Sequence, residues 1–170
     1  MDVEKAIRTR RSVRKFRSDL IEREKIDAIL EAGRLSPSAA NKQPWHFIIV
    51  TDKELKKLLR DSYNKEWFIT APAILIVCID PVTAWKREDG EEYWKVDAAI
   101  AMQDMVLQAW EEGLGTCWIA AFKEPPVKKT LKIPPNIRVV AMTPLGYPDE
   151  EKGEVSQRKK AEEIAHFEGW

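Results

Sequence analysis

Cysteine and histidine are scarce in this 170-residue chain: Cys78 and Cys117 are its only thiols, His46 and His166 its only imidazoles. Two thiols far apart in sequence make neither a disulfide framework nor a four-ligand zinc site. Cys78 sits inside an apolar run and reads as a small buried hydrophobe. Two imidazoles are too few for a histidine-based metal centre, so no metal site is expected, and zinc hydrolysis and catalytic triads are disfavoured. Net charge is also missing: 28 basic side chains cancel 28 acidic ones. No overall field therefore draws the chain to nucleic acid or acidic lipid. The longest apolar run, Ala71 to Ile79, is far shorter than the roughly 20 residues of a membrane span. The N-terminal run Met1-Asp2-Val3-Glu4-Lys5 is charged and has no apolar segment of signal-peptide type, so the cytoplasm is the expected compartment. The common phosphate and nucleophile motifs are absent as well. There is no G-x-G-x-x-G opening a helix, no G-x-x-x-x-G-K-[ST] loop, no G-x-S-x-G elbow and no H-E-x-x-H.

What remains is an ordinary globular composition, 44% hydrophobic and 33% charged, which excludes a disordered or collagen-like chain. At this length one domain spanning 1–170 is expected, burying about 70% of the unfolded surface. Apolar spacing predicts helices over 2–9, 22–35 and 94–112 and a short one over 124–131. The 94–112 segment is apolar on much of its circumference and reads as a buried central helix. Strands are expected at 46–50, at 73–79 (apolar throughout, hence buried on both faces) and at 137–145. Thr51 is a candidate helix cap, with Glu54 at the capping-box position. Trp118 to Phe122 is apolar but ambiguous. Residues 81–93 look like an exposed excursion with an Asp89-Gly90 turn. The charged tail, 149–170, holds one amphipathic stretch, Ala161 to Phe167. Without a βαβ cadence, a repeat or a linker, the elements imply an α+β fold with a small sheet and a long buried helix.

Four segments could carry chemistry. Arg10, Arg11, Arg14, Lys15 and Arg17 surround the hydroxyl of Ser12, a set suited to a phosphate monoester. Alone, such a run is more often a solvated helix end. Nucleic acid would also require basic patches with interleaved aromatics elsewhere, and the rest of the chain is balanced or acidic. The loop Ser36-Pro37-Ser38-Ala39-Ala40-Asn41-Lys42-Gln43-Pro44 offers small residues and the amides of Asn41 and Gln43 to a planar ligand; it also reads as a plain connection. Gly113-Leu114-Gly115-Thr116-Cys117-Trp118 permits close backbone approach, or simply ends the long helix. Gln157-Arg158-Lys159-Lys160 is a second basic spot late in the chain.

Taken together and in order, these pieces carry a specific likeness. Arg-Arg-Ser-x-Arg is followed by Ser-Pro-Ser-Ala-x-Asn-x-Gln-Pro-Trp, then Gly-Leu-Gly-Thr-Cys-Trp, Leu-Gly-Tyr-Pro and Arg-Lys-x-x-Glu-Glu-Ile. From Arg10 to about Trp170 the chain resembles the nitroreductase family of FMN-dependent NAD(P)H oxidoreductases. The resemblance implies a small mixed or antiparallel sheet ringed by helices, in an obligate homodimer with FMN at the subunit interface. It places Arg10 and Ser12 on the FMN phosphate, Arg11 along the ribityl chain and ring edge, and Arg14 at the pyrimidine end of the flavin. Arg158, with Lys159, closes on the phosphate from the tail. Pro37, Ser38, Ala39 and Asn41 come from the other subunit to line the ring. Asn64, seven residues before Ala71-Pro72, falls where family members carry an asparagine near flavin N5, and Gly115 and Thr116 supply backbone there.

The chemistry so implied is hydride transfer from NADH or NADPH to the flavin, then to a small-molecule acceptor (nitroaromatic, quinone, enone or flavin) by ping-pong kinetics. No side chain need act as acid, base or nucleophile, so neither Cys117 nor His46 is expected to be essential. This chain lacks the family's long helical insertion and a proline after its Arg-Lys pair. Trp67 is expected in the core, and 81–95, with Trp85, Tyr93 and Trp94, as a substrate lid. The competing readings are a specialised family enzyme (dehalogenase, flavin-fragmenting or biosynthetic dehydrogenase), a flavin-binding module without turnover, and a small nucleic-acid binder using 8–17.

Overall fold

The computed structural model describes residues 2–153 and 155–170; Met1, in the N-terminal run, and Glu154, in the charged tail, lie outside the described residues. Four strands form one antiparallel sheet: β1 (Trp45–Val50), β2 (Ala73–Ile79), β3 (Gly115–Thr116) and β4 (Arg138–Gly146), in the order β1-β2-β4-β3. The uninterrupted apolar run of β2 follows from its place between two neighbours and two layers. Ala73, Leu75, Val77 and Ile79 enter one buried cluster, while Ile74, Ile76 and Cys78 enter another. Both faces of β2 are dry, so alternation of polar and apolar residues has no use there.

The first cluster is capped by α2 (Arg23–Leu35), through Ile29, and by α5 (Trp94–Glu111), through Trp94, Ala98, Met102, Met105, Val106 and Ala109. The long helix α5 is thus the buried central helix its composition predicts. On the opposite layer sit α3 (Lys53–Leu58), α4 (Glu66–Ile69) and α6 (Glu124–Leu131); Phe68, Ile69 and Val127 reach the second cluster from α4 and α6. The remaining helix, α1 (Val3–Thr9), docks by Ala6 and by the hydroxyl of Thr9, which accepts from the Trp110 indole at 2.8 Å. α5 ends at Gly113, whose φ of +76° is the left-handed turn that a side chain would resist.

One local expectation needs correction, and two segments open in the sequence take definite forms. Helix α3 is capped by Asp52, not Thr51: the Asp52 carboxylate accepts from the Leu55 amide at 2.8 Å, and a charged acceptor satisfies that orphan N–H better than a hydroxyl. Trp118 to Phe122 forms no strand, making one bridge from Ile119 to Met142. The amphipathic stretch Ala161 to Phe167 forms only a short turn at Ala161–Glu163, with every residue exposed. The stretch is exposed throughout, with His166 stacked on the equally exposed Trp170, so its apolar side chains gain no buried layer to drive a helix.

Cys78 is buried and its thiol pushed up to about 12 by burial, with Glu124 adding to the shift. The folded state therefore favours the neutral thiol. That preference is fully present below the ordinary thiol value of 9.0 and is lost as pH rises from there to about 12. Urea midpoints are expected to fall more steeply across this window for wild type than for Cys78→Val. In native protein near pH 8, Cys78 is expected to resist alkylation, with label appearing only on unfolding. Rapid native labelling would contradict the burial.

Candidate functional site

The two ends of the chain meet along residues 12–17. On one side this segment joins the sheet: Ser12 bridges Thr116 in parallel, and the Val13 amide donates to the Thr116 carbonyl at 2.8 Å. Gly115 makes that approach possible, because a Cβ there would lie 2.7 Å from the Val13 side chain. On the other side, residues 147–152 run antiparallel to it. Arg17 N–H donates to Tyr147 O and Asp149 N–H to Lys15 O, both at 2.9 Å, with a bridge from Phe16 to Pro148 between them. Beyond Asp149, side chains continue the ladder. Glu150 accepts from the Arg14 amide at 2.6 Å, and Lys152 Nζ donates to the Ser12 carbonyl at 2.6 Å.

Tyr147 pins the far end of this ladder. Its hydroxyl donates to Glu22 and accepts from Lys25 Nζ at 2.8 Å, while the Arg17 guanidinium lies 4.9 Å from its ring centre. Lys25 also donates to the Glu112 carbonyl at 3.1 Å, tying the end of α5 to the same post. The Tyr147 hydroxyl holds the Glu22 carboxyl below its ordinary value and the Lys25 ammonium above its own.

Between the ladder and the tail opens a cleft of about 420 Å³, lined by Arg10, Arg11, Ser12, Arg14, Lys152, Val155 and Arg158. Five of these seven are cations. Arg10, Val155 and Arg158 also border a smaller hollow of about 210 Å³ with Ile7 and Arg8. An acid pairs with one of the cations: Glu150 lies 2.8 Å from Lys152. Burial pushes the Glu150 carboxyl up, but the Arg14 amide and Lys152 outweigh it and hold the group below its usual range. It therefore stays charged at neutral pH, and its partner Lys152 is braced within the cleft wall.

Five of the sequence-predicted residues, Arg10, Arg11, Ser12, Arg14 and Arg158, converge on this cleft. Gly115 and Thr116 adjoin it through the Ser12 bridge. Lys159 is exposed and is not among the cleft-lining residues. Asn64 accepts at 3.2 Å from Arg60, which pairs with Glu66 at 2.7 Å. One turn later Trp67 is half-buried, packs edge-on against Tyr63, and lies 5.9 Å from the Arg14 guanidinium. Trp67 is thus not purely a core residue: it gives Arg14 a cation–π support.

Pro37, Ser38, Ala39 and Asn41 do not border the cleft of their own chain; α5 holds their loop instead. Asp97 and Asp104 lie seven residues apart, on one face of the helix. The Asp97 carboxylate accepts from the Ala39 amide at 2.9 Å, and Asp104 accepts from the Ser36 hydroxyl at 2.7 Å. Directly after the Ala39 pin, Ala40, Asn41 and Gln43 take left-handed φ values of 50°, 53° and 48°. Such backbone persists only where its surroundings over-determine it. The segment 81–93 closes on itself, with a Lys86–Glu92 bridge and Trp85 edge-on to Tyr93.

Two residues of the site escaped sequence reasoning, Glu150 and Lys152. In Asp149-Glu150-Glu151-Lys152 they read as part of the charged tail. Only the antiparallel register with 12–17 gives them a role.

Comparison with known proteins bears on the family and the fold. The profile of the Nitroreductase family matches residues 7–68 and 59–147. The chain is 36% identical to an Archaeoglobus fulgidus protein provisionally named NADH dehydrogenase/NAD(P)H nitroreductase, over 98% of this chain and 97% of that one. Its fold superposes on a nitroreductase family protein from Clostridium difficile 630 with a TM-score of 0.92 and 26% identity, covering 100% of both chains. An FMN-dependent nitroreductase from Clostridium difficile R20291 gives 0.80 and 32%, covering 95% of this chain and 96% of that one.

Proposed function

The chain belongs to the nitroreductase family, and from that premise we propose that it is an FMN-dependent NAD(P)H oxidoreductase. One observation carries the reading: five cationic residues and Ser12, drawn from opposite ends of the chain, line one cleft. Arg forks and a serine hydroxyl are the donors that a phosphate monoester recruits, and the cleft has room for one. The residues present therefore fit the phosphate end of FMN.

In this reading Arg10, Ser12 and Arg158 hold the phosphate. Arg11 follows the ribityl chain, and Arg14, steadied by Trp67, places positive charge at the pyrimidine end of the ring. When bound, FMN supplies two-electron chemistry, taking hydride from NADH or NADPH and passing it to a small acceptor such as a nitroaromatic, quinone, enone or flavin, in ping-pong order. The protein contributes position and a fixed field. A cation at the pyrimidine end favours negative charge there, which is an electrostatic contribution and requires no proton donor. Gly115 and Thr116 keep the backbone close to the ring edge.

A second copy of the chain completes the site. The loop 36–44 stands on α5, away from its own cleft, in a shape that α5 enforces. The outer face of α5 is partly apolar beside that loop, where Val96, Ala99 and Ile100 line an open hollow of about 520 Å³. A homodimer built on this face brings each loop toward the partner's ring.

The test is the visible spectrum of the purified protein, followed by anaerobic addition of NADH and of NADPH. Oxidised-flavin absorbance, release of FMN identified by mass, and bleaching by a nicotinamide are expected. A colourless protein that also fails to take up added FMN would overturn the reading.

A further inference from the structure

We infer that Lys152 is a phosphate-binding residue of the cleft, and that Glu150 is the positioning residue that aims it. The inference deepens the proposed function and rests on it for the identity of the bound phosphate. The residue lies outside the N-terminal arginine motif and outside the Gln157–Lys160 basic spot, in a stretch whose local charge is acidic. Its place is set by the ladder between 12–17 and 147–152. The last backbone bond of that ladder runs from Asp149 to Lys15, and the next positions are closed by side chains.

An ammonium group has three N–H donors. Two from Lys152 are spent, one on the Ser12 carbonyl at 2.6 Å and one on Glu150 at 2.8 Å. These two acceptors fix the head of an otherwise flexible side chain, and Lys152 is among the residues that line the cleft. The third donor is left for an anion in that cleft, which Ser12 also lines. The side chain is only about a quarter exposed, as is Glu150, so its charge is less screened than that of a freely solvated lysine.

Glu150 does two things at once. Its Oε1 takes the Arg14 amide at 2.6 Å and the Lys152 ammonium. A carboxylate this near to a phosphate would repel it, were its charge not already neutralised by that lysine. Removing Lys152 therefore takes a cation from the phosphate and also uncovers an anion beside it. Removing the Glu150 charge alone leaves Lys152 free to pair with phosphate, but less firmly held.

The arrangement also connects occupancy of the cleft to the tail. Lys152, Val155 and Arg158 all line it, so a bound phosphate bridges the tail to Arg10–Arg14. Residues 150–158 become more protected when phosphate is bound.

The experiment compares wild type, Lys152→Met and Glu150→Gln by titration with FMN, riboflavin and inorganic phosphate, with thermal melting of each apoprotein. Loss of one charge-assisted contact, plus exposure of the Glu150 charge, predicts that Lys152→Met binds FMN at least tenfold more weakly. Riboflavin, which has no phosphate, should bind Lys152→Met and wild type alike. Inorganic phosphate should compete with FMN for wild type and do so more weakly for Lys152→Met. Glu150→Gln should change FMN affinity by less than Lys152→Met does and flatten its salt dependence less. Hydrogen exchange at 150–158 should slow with FMN in wild type and hardly change in Lys152→Met.

Equal losses for FMN and riboflavin would mean that Lys152 serves the fold alone, and would overturn the inference. Unchanged FMN affinity in Lys152→Met would overturn it as well. If wild type binds inorganic phosphate through Lys152 but takes up no FMN, the oxidoreductase reading fails while the phosphate role of Lys152 stands. If wild type binds neither, both fail.

Discussion

The double variant Arg10→Ala/Arg158→Ala is expected to bind FMN at least a hundredfold more weakly than wild type, with riboflavin binding nearly unchanged. The two guanidinium groups reach one cleft from the N-terminal segment and from the tail, so neither replaces the other by a rotamer change. A hydrogen bond to a charged group contributes about 1.5–3 kcal/mol, and two lost together come to roughly 3–6 kcal/mol. Each 1.4 kcal/mol is about tenfold in affinity, so a hundredfold is the lower end of that range. The remaining cations, Arg11, Arg14 and Lys152, keep some attraction. The salt dependence of FMN binding should therefore weaken without vanishing, since these charges line the same cleft. Fluorescence titration of apoprotein with both flavins, at two salt concentrations, decides the matter. Parallel losses for FMN and riboflavin would show that the arginines shape the fold and do not read a phosphate.

That cleft was partly legible before any coordinates. The arginines and serine of Arg10–Arg14 stand together in sequence and carry their chemistry in their residue types, and Arg158 stands in a second basic cluster. The buried strand Ala73–Ile79 and the helix Trp94–Glu111 were legible because both bury their surface wholesale, which leaves long apolar records. The Glu150–Lys152 wall was not legible. Its partners lie 136 and 140 residues away, at Arg14 and Ser12, and no periodicity spans that distance. The pinning of the loop 36–44 was hidden for a related reason. Asp97 and Asp104 look like polar interruptions of an apolar helix until their partners, Ala39 and Ser36, are in place. Asp97 is 1% exposed, and its Oδ2 has no hydrogen-bond partner among the described residues. A buried carboxylate oxygen left so is costly, and what accompanies it is a loop with left-handed backbone at Ala40, Asn41 and Gln43, two of them residue types that seldom adopt it.

Gly115→Ala is expected to lower stability by about 1–3 kcal/mol, the ordinary cost of forcing an extra methyl into a packed contact. It should also weaken FMN binding at a distance from any charge. The added Cβ would stand 2.7 Å from both Cβ and Cγ2 of Val13, atoms near the backbone that cannot swing aside. Val13 is itself buried, only 2% exposed. Relief must come from separating residues 12–13 from 115–116, which stretches the 2.8 Å bond from the Val13 amide to the Thr116 carbonyl. Because the same segment carries Ser12 and is flanked by Arg11 and Arg14, a shift there displaces one wall of the cleft while the tail wall stays on the other. For a chain of this size the melting temperature should fall by roughly 2–12 °C. A double-mutant cycle isolates the cause. Val13→Gly alone should destabilise by opening a void, but in the Gly115→Ala background it makes room for the new methyl, so the combined cost should be well below the sum of the two. Strict additivity would mean that the two residues do not press on each other, and that the approach of the N-terminal segment to the sheet does not depend on the bare backbone of Gly115.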